Sequence, residues 1–139
     1  IIKRLKPAAD KKGITINLIG ESTCIYGAWQ ILDEMIYNLC DNAIKYNKEN
    51  GTVDVIINTT ADKVKLSVRD TGIGIPPAQQ GRIFERFYRI DKSRSKAEGG
   101  TGLGLSIVKH GAIYHNAEIT LESAVDKGTT VTITFNRGL

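Results

Sequence analysis

WQILDEMIYNLCDNAIKY, residues 29–46, is the stretch on which the fold turns. Ile31, Leu32, Met35, Ile36, Leu39, Ala43 and Ile44 recur in it at helical spacing, and Asn50-Gly51 stops the pattern. A long amphipathic helix of this kind needs a surface to cover, and the flanking sequence supplies one. Downstream, Val53, Val55 and Ile57, then Val64, Leu66 and Val68, alternate on either side of Thr60-Ala61-Asp62. That period of two predicts antiparallel strands joined by a tight connection. Ile119 and Leu121, then Val131, Ile133 and Phe135, repeat the pattern around Asp126-Lys127-Gly128. Upstream, residues 1–12 predict a short helix interrupted or ended near Pro7, residues 14–19 a strand, and residues 24–26 a second short strand. A further helix is expected over about 103–114. Together these elements make a mixed sheet with helices, an α+β pair of layers.

With 139 residues the chain falls in the range of one domain, taken here as 1–139, that can bury a core without disulfide or metal staples. Its 41% hydrophobic and 24% charged residues fit a soluble globular protein, and no apolar run approaches the ~20 residues needed to cross a bilayer. Cys24 and Cys40 lack the close paired spacing of a zinc or redox motif, which favours two reduced structural thiols and a cytosolic setting. The start at Ile1, without an initiator Met or targeting segment, leads us to expect a fragment of a longer protein. Arg82, Arg86, Arg89, Lys92, Arg94 and Lys96 crowd one stretch, which fits local anion binding. With 6% aromatics and 15 acidic residues, the composition gives no support to a nucleic-acid surface.

Three clusters carry chemistry. On the long helix, Asn38, Asn42 and Lys45 fall on one stripe beside the apolar face. An amide oxygen suits Mg²⁺ and a lysine suits phosphate, so the stripe could hold a metal–triphosphate, although a solvated helix face explains it equally well. DTGIGIP, residues 70–76, follows a strand. Asp70 could accept from an exocyclic amine such as that of adenine, while the glycines let backbone approach a flat ring; taken alone, the motif is more often a plain turn. EGGTGLGL, residues 98–105, runs into a helix, where free backbone N–H groups and the helix dipole favour phosphate. It lacks the Gly-Lys-Ser/Thr of a Walker loop and the preceding strand of a dinucleotide fingerprint.

In order and spacing, NLCDNAIKY (38–46), DTGIGI (70–75), IFERFYR (83–89) and GTGLGL (100–105) resemble the N, G1, F and G2 boxes of the histidine protein kinases, over nearly the whole chain. The resemblance implies the Bergerat fold, a two-layer α/β sandwich in which a mixed, mostly antiparallel sheet packs on three main helices and ATP lies under a lid spanning about 76–101. It implies Asn42 as the Mg²⁺ ligand, Asn38, Lys45 and Tyr46 along the phosphate and nucleotide pocket, and Asp70 on the adenine amine. Gly72 and Gly74 would shape the adenine floor. Gly100, Gly102 and Gly104 would form the phosphate-side lid hinge, and Ile75, Tyr88, Thr101, Leu103 and Leu105 would also bind the nucleotide. Arg89 would stand nearest the γ-phosphate, so that Asn38, Asn42, Lys45 and Arg89 form the catalytic set.

Such kinases donate the γ-phosphate to a histidine on a separate dimerisation domain and work with a response-regulator receiver domain. The implied setting is the cytoplasmic domain of a sensor anchored in the inner or plasma membrane, with no membrane contact by this segment itself. The rival readings are an ATP-hydrolysing relative or a nucleotide-sensing module. The hydrolytic relatives carry Glu where this chain has Asn38, and an amide has no useful basicity toward water. Two departures stand out: Ala28 precedes the long helix where the family often has Asp, and the two histidines, His110 and His115, read as surface or structural residues.

Overall fold

In the computed structural model, which describes residues 2–20, 23–25, 27–84 and 104–136, the chain runs α1 (Ile2–Lys12), β1 (Thr15–Gly20), α2 (Trp29–Lys45), β2 (Thr52–Thr59), β3 (Lys63–Asp70), α3 (Pro77–Gln80), α4 (Gly104–Tyr114), β4 (Glu118–Ala124) and β5 (Gly128–Asn136). The strands form one sheet in the order β1-β2-β3-β5-β4. β1 pairs parallel with β2 and every other pair is antiparallel, which gives the mixed, mostly antiparallel sheet expected. Register puts Val55 opposite Val68, Leu66 opposite Ile133 and Val64 opposite Phe135. The alternating apolar residues therefore share one face, and they are buried there beneath Met35, Leu39, Ala43 and Ile44 of α2.

α2 packs closely on α4 because Gly111 has no side chain. A Cβ there would lie 2.4 Å from the sulfur of Met35, which is fully buried. α1 clamps α2 at both ends. Arg4 pairs with Asp33 at 2.8 Å and lies over the Tyr37 ring, while Lys12 Nζ donates to the carbonyls of Ile44 and Lys45 at the C-terminal end of α2.

Two sequence expectations are corrected. α1 runs unbroken through Pro7: the missing N–H costs the helix interior one hydrogen bond, and buried Leu5 and Ala9 anchor the helix on either side of it. Of the strand expected over 24–26, Cys24 and Ile25 form none, and Tyr26 lies outside the described residues: Ile25 packs against the core through its side chain while its backbone joins no ladder. Ala28 makes no side-chain cap bond, but its own backbone is held from elsewhere. His115 Nε2 accepts from the Ala28 N–H at 3.1 Å, and Nδ1 bonds the Gly111 carbonyl at 2.8 Å, which fixes the proton on Nδ1 and makes His115 a structural residue; His110 is exposed. Both cysteines are free thiols, Cys24 exposed and Cys40 buried. Among the described residues no helix is long and apolar enough to cross a membrane.

Candidate functional site

A pocket opens between the C-terminal half of α2, the end of β3 and the loop that follows it. Asn42, Tyr46, Asp70, Gly74, Ile75 and Leu105, all expected at the site, line it together with Thr129 of β5. Asp70 ends β3, half-buried, and its Oδ1 accepts from the N–H groups of Gly72 (2.8 Å) and Thr129 (3.2 Å). Among the described residues Oδ2 accepts no bond. Burial pushes the carboxyl up to about 6, against the pull of those two backbone donors. A half-buried carboxylate with one oxygen unpartnered is a ready acceptor for a ligand N–H.

The loop after Asp70 is shaped by close backbone contacts. A Cβ on Gly72 would fall 2.2 Å from the Tyr46 carbonyl oxygen, so Gly72 packs against the end of α2 rather than lining the pocket floor. Gly74 holds φ +72° and lies against Ala124 at the end of β4. Ile73 bridges the two sides: its N–H donates to Tyr46 and its carbonyl accepts from Asp126.

At the other end of the pocket the start of α4 reaches α2. A Cβ on Gly104 would lie 3.1 Å from Asn38 Oδ1 and 3.6 Å from Asn42 Nδ2, so residues far apart in sequence meet at a helix N-terminus. Among the described residues the Asn42 amide makes no hydrogen bond, which leaves its oxygen available to a cation or phosphate-bound water. Asn38 is less free, because its Nδ2 donates back to the Glu34 carbonyl at 2.7 Å. Lys45 pairs with Asp41 at 2.9 Å and is not among the residues lining the pocket. Tyr88, Arg89, Gly100, Thr101, Gly102 and Leu103 lie outside the described residues.

The sequence reading missed Thr129, Ser123, Thr71 and Asn47. Ser123 Oγ accepts from the Ile75 N–H at 2.8 Å and so holds the glycine loop to β4. Thr129 follows a turn glycine, a weak signal at best; Asn47 directly follows the predicted helix and is buried, which spacing alone cannot reveal.

The raised Asp70 carboxyl has a testable sign. In the range between about 4 and 6 the folded chain holds a proton that the unfolded chain has released, so this group favours folding at low pH and loses that contribution as pH rises through about 6. A ligand amine needs the ionised acceptor and works in the opposite direction. Adenosine, which has no phosphate to titrate, is expected to bind about tenfold more weakly at pH 5 than at pH 7.5. Asp70→Asn should flatten that profile. Titrations at the two pH values check it, and an unchanged slope in the variant counts against Asp70 as the acceptor.

Residues 27–139 match the family described as histidine kinase-, DNA gyrase B-, and HSP90-like ATPase. The chain is 45% identical over 102 residues to the sensor histidine kinase RppB of Synechocystis, covering 73% of this chain and 22% of that protein. It is 41% identical over 135 residues to the sensor-like histidine kinase SenX3 of Mycolicibacterium smegmatis, covering 96% and 35%. It thus spans between a fifth and about a third of the length of these relatives. Among solved structures, the mycobacterial sensor histidine kinase MprB superposes with a TM-score of 0.84 at 29% identity, over 99% of this chain and 95% of that one. With Asn42, Tyr46, Asp70, Gly74, Ile75 and Leu105 around one pocket and this match across residues 27–139, the chain belongs to the histidine kinase-, DNA gyrase B-, and HSP90-like ATPase family, as a catalytic ATP-binding domain of the sensor histidine kinase type.

Proposed function

We propose that residues 1–139 act as one domain that binds MgATP and donates the γ-phosphate to a histidine on a separate dimerisation domain. The observation that carries this reading is the single pocket that holds the Asp70 carboxylate at one end and Asn42 beside the start of α4 at the other. Asp70 Oδ2 takes the exocyclic amine of adenine; Gly74 and Ile75 flank the ring, and Gly72 holds that loop against α2. Tyr46 and Asn38 border the phosphates. Lys45 exchanges Asp41 for a phosphate oxygen, at small cost since a partly exposed i,i+4 ion pair contributes only about 0.5 kcal/mol.

The start of α4, with Gly104 and Leu105, presents backbone N–H groups to the triphosphate, and Gly100, Thr101, Gly102 and Leu103 continue that phosphate side. Arg89 and Tyr88 close over it from the lid. Mg²⁺, held by Asn42, supplies charge neutralisation when bound. The chain's own contribution is to position the donor and exclude water. Because the Asn38 amide has no basicity to activate water, the phosphoryl group passes to an imidazole nitrogen rather than to solvent. The parent is a sensor anchored in the inner or plasma membrane with this domain on the cytoplasmic side, and it hands its phosphoryl group to a response-regulator receiver domain.

Calorimetry with ATP and GTP tests the reading. ATP should bind and GTP should not, because a guanine carbonyl would face the Asp70 carboxylate. Asp70→Ala should weaken ATP by about 10- to 100-fold, the range of a hydrogen bond to a charged group. Equal binding of both nucleotides would overturn the adenine assignment, and rapid phosphate release by the chain alone would favour the hydrolytic relatives.

A further inference from the structure

The two ends of the pocket belong to separate elements, and a polar knot centred on buried Asn47 joins them. Asn47, 1% exposed, follows the last turn of α2; its Nδ2 donates to the Thr52 carbonyl at 2.9 Å, and its Oδ1 accepts from the Lys48 N–H at 2.9 Å and from the Thr71 hydroxyl at 3.0 Å. The Thr71 hydroxyl in turn accepts from the Thr52 N–H at 3.0 Å. The first residue of β2 therefore spends both its N–H and its carbonyl on this pair. Gly51 closes the knot without a side chain, since a Cβ there would sit 2.3 Å from Asn47 Oδ1 and 2.6 Å from Thr71 Oγ1.

Each member of the pair directly follows a pocket residue: Tyr46 precedes Asn47, and Asp70 precedes Thr71. The Ile73 N–H bond to the Tyr46 carbonyl, 3.1 Å, adds a second stitch between the same two segments. A buried polar group is costly unless satisfied, and an apolar pair of the same size would hold the segments without fixing their separation or rotation. Directional bonds fix both. We infer that Asn47 and Thr71 are positioning residues, a latch that sets the spacing between the adenine end and the phosphate end of the pocket. The inference rests on the nucleotide reading above. A ligand that occupies one end is indifferent to that spacing, whereas a ligand that spans both ends depends on it.

Calorimetry with adenosine and with MgATP separates the two cases. Thr71→Val, which removes the hydroxyl and keeps the shape, should leave adenosine within about threefold of the original affinity and weaken MgATP about tenfold or more. Thr71→Ser should restore the original ratio. A purely structural role lowers the folded fraction seen by both ligands alike and leaves the ratio unmoved. Should Thr71→Val fail to fold by circular dichroism, Thr71→Cys, whose thiol is a weak donor, should lower the MgATP-to-adenosine affinity ratio by about threefold. Parallel weakening, or an unchanged ratio in the folded variant, overturns the latch. Failure of the unaltered chain to bind either ligand overturns the nucleotide reading, and the latch with it.

Discussion

Given MgATP labelled at the γ-position and a histidine-bearing dimerisation domain, the chain is expected to label that domain and not itself, and Asn42→Ala to slow the transfer about 100-fold or more. The terminal P–O bond breaks, a P–N bond to imidazole forms, and ADP leaves, so the product is an acid-labile, base-stable phosphoramidate. Neither histidine of the described chain is placed to compete, since His115 is engaged at both ring nitrogens and His110 lies on the exposed side of α4, away from the lining residues. Asn42→Ala should remove the amide without disturbing the helix, because alanine is the strongest helix former and Ala43 beside it already carries the buried contact. The loss should therefore appear in transfer at unchanged thermal stability. Retained transfer in the variant would rule out Asn42 as the metal-holding residue. MgATP binding without transfer to any such domain would leave a nucleotide-binding module as the better reading.

A backbone effect of similar size is expected at Gly74. Its φ of +72° is a conformation that costs an L-residue about 1–2 kcal/mol, and a Cβ there would lie 1.9 Å from the Ala124 carbonyl oxygen. That neighbour is backbone and cannot rotate away. Relief would require the loop or the β4–β5 turn to shift, which would break the Asp126 N–H bond to Ile73 and the Ile75 N–H bond to Ser123. Gly74→Ala should therefore cost about 3 kcal/mol or more in stability, a fall in Tm of roughly 10 °C, and lower nucleotide affinity by more than tenfold. Gly81→Ala provides the contrast: φ is −71° and nothing lies within 4 Å of its Cβ position, so a small gain of about 0.4–1 kcal/mol is expected from the stiffer unfolded chain. Thermal melts of the two variants check this, and equal melting temperatures would show that the loop adapts freely.

Much of the fold was legible because its signals are local. The stripe from Ile31 to Ile44 specified α2 to within one residue, and the period-2 runs specified β2, β3, β4 and β5, since side-chain periodicity is set by the geometry of each element alone. The reading failed where a tertiary contact outweighed a local rule. Pro7 predicted a break, but burial of Leu5 and Ala9 keeps α1 whole. The apolar Ile25 suggested a strand, but no sheet edge pairs with it.

For the site, the amino-acid sequence by itself determined the family, the four boxes and the residue types that could meet a nucleotide. Tertiary structure alone decided which of those residues converge and in what state. It buried Asp70 with one oxygen free, brought Gly104 over Asn38 and Asn42, and turned Lys45 toward Asp41. It also recruited residues that no motif names: His115 holds the Ala28 N–H before α2 from 87 positions away, Thr129 steadies Asp70 from 59, and Thr71 bonds Asn47 from 24. The physical reason is range. Helical and strand patterns repeat within a few residues and are visible in one dimension, whereas the partner of a buried polar group is whichever donor or acceptor the packed layers bring within about 3 Å, whatever its distance along the chain.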